Sequence, residues 1–328
     1  YDMISIGFWP GGDRDGNPFV TSTITSKTAK KLRSDIIKNY YRDVRSLRRK
    51  LTFKKIEKVI IDIEDALWVS IFETDKEPKI PLTDLKFKLN YIKEILINEH
   101  KSLFLEDLQD FIDKVNIFGY HFATLDIRQD SRIHSYVFND LINLYFKNEF
   151  EDSYQNLTEI RKVQKLSKLN GKIESKNIKD ETTKSTVESI ELIHQIQKSN
   201  GVKGCHRYII SNKKSSSNIF EVFTMIRLIL GEKFNIDIVP LFESVLDLEN
   251  AAKIMEDVYS NKLYSEHLSY RNKTQTIMLG FSDGTKDGGY LTANWSILKA
   301  KESLTKISRK FGIKVIFFDG RGGPPARG

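Results

Sequence analysis

Apolar residues return every three or four positions through the first third of the chain, the spacing that lines one face of a helix. Over 27–50 the stripe is Leu32, Ile36, Ile37, Tyr40, Val44 and Leu47, and similar stripes predict helices over 52–74, 83–99 and 102–117. Thr83 and Ser102, each with an acidic residue soon after, are the expected N-caps, and Gly119 is the expected stop. The polar run Asp75–Pro81 is expected to join the second helix to the third, and residues 1–25, rich in Gly, Asp, Thr and Pro, to form a loop.

Beyond Gly119 the period changes. Short apolar runs at His121–Ile127, Tyr208–Ser211, Ile236–Leu241, Thr276–Phe281 and Ile313–Phe318 read as strands. Helical patterns lie between them, near 131–150, 181–199, 216–231, 246–259 and 287–311, while the lysine- and serine-rich region 150–185 reads as a surface excursion. Strand alternating with helix predicts a parallel sheet with covering helices. The expected division is 1–118, a glycine-rich loop plus long helices, and 119–328, the sheet-bearing part. An open sheet satisfies the alternation. A barrel explains one thing more: Arg128, Glu243, Asp283 and Arg321 each follow a strand candidate, and barrel active sites are built at that end. The expected class is therefore α/β, a helix-rich (β/α) barrel that is incomplete in this chain.

The 328 residues give room for one large domain or two ordinary ones. No apolar run is long enough to cross a bilayer, so no membrane partner is expected. A net charge of +8 raises the question of an acidic partner. The basic residues between Lys27 and Lys58, however, share a helix with the apolar stripe above, without aromatics placed to stack on bases. A solvated basic helix face is expected there, not nucleic-acid binding. Cys205 is the single cysteine, which excludes an internal disulfide and suits a reducing cytoplasm. The six histidines have no metal-ligand spacing. Because it begins at Tyr1 and ends at Gly328 inside a glycine-rich run, the chain is expected to be an internal piece of a longer protein.

Five segments carry chemistry. In Leu125-Asp-Ile-Arg-Gln-Asp130, Arg128 has the planar fork of donors that grips phosphate or carboxylate, or else it pairs with Asp126 or Asp130. Glu243 ends the apolar run Val239-Pro-Leu-Phe-Glu-Ser244, where a carboxylate can serve as hard-metal ligand, base or helix N-terminal partner. In Gly280-Phe-Ser-Asp-Gly-Thr-Lys-Asp-Gly-Gly289, Asp283 can take a divalent cation and Lys286 can neutralise an anion before a helix starting near Asp287; a capped helix start with an ion pair fits equally. Phe318-Asp-Gly-Arg-Gly-Gly-Pro-Pro-Ala-Arg-Gly328 places Arg321 and Arg327 in a glycine-rich loop suited to an anion, or in a plain tail. In Pro10-Gly-Gly-Asp-Arg-Asp-Gly-Asn-Pro18, Asp13, Arg14 and Asp15 read as an arginine held between carboxylates, fixing a loop beside a site.

Taken in order, these segments resemble the phosphoenolpyruvate carboxylase family. Phe8-Trp-Pro-Gly-Gly-Asp-Arg-Asp-Gly-Asn-Pro18 and Phe118-Gly-Tyr-His-Phe-Ala-Thr-Leu-Asp-Ile-Arg-Gln-Asp-Ser131 are similar to two of its blocks. Pro240-Leu-Phe-Glu-Ser244, Phe281-Ser-Asp-Gly-Thr-Lys-Asp-Gly288 and Gly320-Arg-Gly-Gly323 are similar to three more. The resemblance implies a Mg²⁺- or Mn²⁺-dependent reaction of phosphoenolpyruvate with bicarbonate, through carboxyphosphate and the pyruvate enolate, to oxaloacetate and phosphate. It implies Glu243 and Asp283 as metal ligands, Arg128 and Arg321 as the phosphate clamp, Lys286 as the basic residue at the reacting centre and Arg327 in a mobile loop. A homo-oligomer is implied for the full-length protein. Two departures stand out: Asp319 occupies a position where many members have histidine, and nothing here matches the family's N-terminal catalytic-histidine motif. The piece alone is therefore expected to be inactive or nearly so. The alternatives are another metal-dependent enol-phosphate barrel, such as a pyruvate-phosphate phosphotransferase, and a non-catalytic anion-binding scaffold.

Overall fold

A computed structural model describes residues 4–73, 76–150 and 153–320. The chain forms two compact units that interleave in sequence: Tyr1–Gly12, Ser22–Leu125 and Leu192–His206 make one, and Asp13–Thr21, Asp126–Glu191 and Arg207–Gly328 the other.

The first unit is built on four helices, α1 (Ser22–Lys50), α2 (Lys54–Phe72), α3 (Leu82–Glu99) and α4 (Leu105–Phe118). Their stripes meet in one core: Ile37, Tyr40 and Val44 from α1, Ile56, Ile60, Ile63 and Leu67 from α2, Leu85, Leu89 and Ile92 from α3, Leu108, Phe111 and Val115 from α4. The basic face of α1 is not merely solvated. Arg48 and Arg45 both reach Glu64 on α2, at 2.8 and 3.5 Å, and Lys50 reaches Asp107 on α4 at 2.6 Å. Two short strands, β1 (Gly7–Phe8) and β2 (Thr124–Leu125), pair in parallel.

Neither expected N-cap forms. Pro81 stands at the N-cap of α3 and carries no side-chain acceptor, so the helix starts without a side-chain cap, and Thr83 instead donates to Asp84 at 3.2 Å. Ser102 lies in a left-handed turn with φ 60°, and α4 follows Phe104, also left-handed. Gly119 does end α4: its φ is 48°, and its N–H donates to the Val115 carbonyl at 3.1 Å. The buried Tyr40 hydroxyl ties down the same terminus, donating to the Gly119 and Lys114 carbonyls at 2.7 and 3.2 Å. Tyr40→Phe leaves those carbonyls short of a donor and is expected to cost about 1–3 kcal/mol in urea unfolding, with the helical circular-dichroism signal unchanged.

The second unit is a parallel five-stranded sheet: β3 (Ile127–Asp130), β4 (Arg207–Ser211), β5 (Asp237–Phe242), β6 (Thr274–Gly280) and β7 (Lys314–Gly320). Sheet order equals chain order and every neighbouring pair is parallel, so all five strands run the same way and their C-terminal ends share one edge. Ile127 pairs with Tyr208, Ile209 with Val239, Leu241 with Met278 and Met278 with Phe318. β4, β5 and β6 are buried almost throughout, which is why they read as continuous apolar runs, while β7 stays partly exposed along its length. The intervening helices are α5 (Ser131–Tyr145), α6 (Glu159–Leu166), α7 (Glu181–Asn200), α8 (Ser216–Leu230), α9 (Val245–Ser260), α10 (Lys262–Tyr270) and α11 (Ser282–Lys310).

The observed elements differ from the expected ones in four places. The run His121–Ile127 is divided at Asp126, whose fully buried carboxylate accepts from Arg207 at 2.7 and 3.0 Å. The excursion 150–185 contains α6, and the short α10 was not anticipated. The helix expected from 287 begins at Ser282; Gly289, at φ 80° and ψ 171°, breaks it, and the expected stretch is the part beyond that kink.

Candidate functional site

Each parallel strand delivers its C-terminal residues to the same edge of the sheet. At the ends of β4, β5 and β6 this edge encloses a cavity of about 350 Å³, lined by Asn212, Lys214, Glu243, Ser244, Asp247 and Asp283 among others.

Glu243 follows β5 directly, and Ser244 then caps α9 through a reciprocal pair of bonds with Asp247. Asp283 sits in the first turn of α11, just beyond β6. Gly280 allows the close approach of the two elements: a Cβ there would stand 3.0 Å from Glu243 Cγ and 3.3 Å from its Cα. Burial pushes the Glu243 carboxyl above its ordinary range, and the charge of Asp283 pushes it further; the Asn212 N–H and Arg128 pull the other way. Asp283 is exposed and accepts from Lys286 at 2.8 Å. That hydrogen bond, then the Asp283 charge, raises the exposed Lys286 ammonium. Of the residues singled out in the sequence, Glu243, Asp283 and Lys286 therefore share one small region, with Arg128 within electrostatic reach of Glu243.

Arg128 is placed differently from expectation. It is the second residue of β3, not a residue beyond its end, and neither Asp126 nor Asp130 holds it. Its guanidinium donates to both Asp13 oxygens, at 2.7 and 2.9 Å, with Asp15 at 3.7 Å. Asp126 belongs to Arg207, and Asp130 to Arg132. The arginine held between the carboxylates of the 13–15 loop is thus Arg128; Arg14 turns away and donates to the carbonyl and hydroxyl of Ser185, at 3.0 and 2.8 Å. The backbone reinforces this docking, since the Arg14 N–H donates to the Arg128 carbonyl at 2.9 Å. Asp319, within β7, pairs with Lys301 on α11 at 2.8 Å. Arg321 and Arg327 lie outside the described residues.

Sequence reading named nothing at the end of β4, yet Asn212, Lys213 and Lys214 stand there. The signal was present: Asn212-Lys-Lys-Ser215 follows the apolar run Tyr208–Ser211 just as Glu243 follows its strand. Lys213 is the unusual member. It is 1% exposed, its Nζ has no hydrogen-bond partner among the described residues, and it lies 3.0 Å from the centroid of the Phe242 ring. Burial pulls its amine down to about 7, against the pull of Asp247 and Glu243 in the other direction.

Among the described residues no group of three or more His, Cys, Asp or Glu side chains forms a metal cage. Mg²⁺ does not need one: it usually takes one or two protein carboxylates and completes its octahedron with water and substrate oxygens. Glu243 and Asp283 fit that donor set, because their mutual repulsion is what a cation would relieve. Such a pair beside an ammonium can hold a cation and an anionic substrate together.

The phosphoenolpyruvate carboxylase family model matches residues 1–77 and 75–328 of this chain. A phosphoenolpyruvate carboxylase from Synechococcus sp. is 27% identical, in an alignment that takes in 100% of this chain and 37% of the relative. One from Nitrosomonas eutropha is 29% identical over 99% of this chain and 40% of its own length, so the chain spans about two fifths of the relatives it matches. With the family's model matched from one end of the chain to the other, the chain belongs to the phosphoenolpyruvate carboxylase family.

Proposed function

We propose that the full-length protein carboxylates phosphoenolpyruvate with bicarbonate, and that the edge formed by the ends of β4, β5 and β6 is part of the site. The observation that carries this reading is the coupled pair Glu243–Asp283 lining one polar cavity beside Lys286. A bound Mg²⁺ or Mn²⁺ would supply Lewis-acid stabilisation of enolate and phosphate oxygens there. Glu243 and Asp283 would hold the cation and Lys286 would place an ammonium beside the developing anion, while the Asp13–Arg128 pair fixes the glycine-rich loop next to the strand edge. Arg321 and Arg327 are further candidates for phosphate binding, on their chemistry alone. A reducing cytoplasm suits the buried thiol of Cys205, and among the described residues no helix is long and apolar enough to cross a membrane.

The sheet is read here as an arc of a β/α barrel. Its order has no reversal, unlike an open doubly wound sheet. A flat sheet would set β4 and β7 about 14 Å apart, three strand spacings. The Arg207 guanidinium of β4 nevertheless lies 5.2 Å from the centre of the Phe318 ring of β7, a contact that curling favours.

Lys286→Ala in the full-length protein tests the chemical role. Lys286 is an exposed helix residue, so its loss opens no core cavity, and stability should hardly change. Turnover of phosphoenolpyruvate should fall by about 100-fold or more. A strongly shifted melting temperature with normal turnover per folded molecule would make Lys286 structural.

A further inference from the structure

The geometry points to Lys213 as a positioning residue for the Glu243–Asp283 cation site: its protonated amine, sealed against Phe242, supplies a positive charge that offsets the carboxylates when no cation is bound and opposes the cation that binds between them. This rests on the reading of Glu243 and Asp283 as cation ligands.

A buried ammonium without a hydrogen-bond partner is among the costlier things a fold can contain. Lys213 is such a group, and a methionine of similar length would fill the same space without that cost. Packing alone therefore does not account for a lysine here. The Phe242 face, 3.0 Å away, returns part of the lost hydration through the ring quadrupole. Phe242 is the last residue of β5, immediately before Glu243, so the ring that seats the amine also begins the turn that presents the carboxylate. Two carboxylates act on Lys213, Asp247 and Glu243. Asp247 is already engaged in the capping box of α9, whereas among the described residues Glu243 accepts a single long hydrogen bond, 3.5 Å from the Asn212 N–H. Of the other cations near Glu243, Arg128 is committed to Asp13 through two bonds, and Lys286 is exposed and paired with Asp283. Lys213 is thus the buried amine left to balance Glu243, and its chain neighbours Asn212 and Lys214 line the cavity that Glu243 and Asp283 share.

Removing that charge should tighten cation binding. Mn²⁺ titrated into the chain Tyr1–Gly328 at pH 6.5, followed by electron paramagnetic resonance, should give Lys213→Met a dissociation constant lower than wild type by roughly threefold or more. Lys213→Arg, which keeps the charge, should stay within about twofold of wild type. Should Lys213→Met fail to fold by circular dichroism, Lys213→Gln takes its place in the same titration, with the same tightening expected. Equal or weaker Mn²⁺ binding by the neutral variant, or equal tightening by Lys213→Arg, overturns the inference. Glu243→Gln separates the two levels. If it binds Mn²⁺ as wild type does, the cation site itself is wrong, and this inference falls with it; if it loses Mn²⁺ while Lys213→Met is unchanged, only the role of Lys213 falls.

Discussion

Glu243→Gln in the full-length protein is expected to lower carboxylation at saturating Mg²⁺ by at least about 100-fold, with no loss of fold. The two halves of that result have one cause. Burial and the Asp283 charge hold the Glu243 carboxyl above its ordinary range, so the ionised form is under strain in the cation-free protein. Glutamine keeps the shape of the side chain and removes both the repulsion from Asp283 and the charge that balances Lys213, so the thermal midpoint should stay nearly level. The same change takes away one of two anionic oxygen donors, and a hard cation binds an amide oxygen far less well. Asp283→Asn should follow the same pattern more mildly, because Asp283 is exposed and shares its charge with Lys286. Metal-dependent activity assays on the variants, alongside thermal melts, check both halves. A Glu243→Gln protein that melts early and works normally would make Glu243 a structural residue.

Arg207→Met should produce the largest loss of stability, about 3–5 kcal/mol in urea unfolding. Asp126 is fully buried, and both its oxygens accept from Arg207; methionine leaves that carboxylate without its cation in an apolar surround. The Phe318 ring also loses the guanidinium above it. Acidity gives the loss a signature. Burial already holds Asp126 above its ordinary 3.8, and Arg207 opposes that rise. A carboxyl whose folded pKa is raised adds stability below its unfolded pKa and gives it up as the pH climbs through the folded one. Without Arg207 the folded pKa rises further, so the deficit of the variant should grow with pH from near 4 upward and shrink in acid. Asp126→Asn combined with Arg207→Met should recover part of the loss and remove the pH trend. A deficit independent of pH would assign the cost to lost packing.

What was legible in the sequence follows from how local each signal is. Helices α1 to α4 are set by stripes within single segments, and the buried strands announce themselves as unbroken apolar runs, so both are readable without knowing what packs on them. Glu243 and Asp283 were readable as carboxylates directly after such runs. Pairings between distant segments were not: nothing local in Asp126-Ile-Arg-Gln-Asp130 says that Arg128 takes Asp13 while Arg207 takes Asp126. Two arginines and several aspartates of similar spacing offer interchangeable partners until the chain is folded. The caps failed for a related reason, since Pro81 and the left-handed turn before Leu105 override the side-chain preference of Thr83 and Ser102. Lys213 was missed because a lysine beside another lysine reads as surface, and only the Phe242 ring from the neighbouring strand buries it.

The most direct test follows ¹⁴C-bicarbonate and phosphoenolpyruvate with the full-length protein, trapping the four-carbon product by reduction and measuring phosphate release in the same tube. Acid-stable ¹⁴C should appear one for one with phosphate, only when Mg²⁺ or Mn²⁺ is present, and should vanish in Glu243→Gln. Phosphate release without fixed carbon, or fixation that proceeds equally in Glu243→Gln, would contradict a carboxylation site built on the ends of β5 and β6.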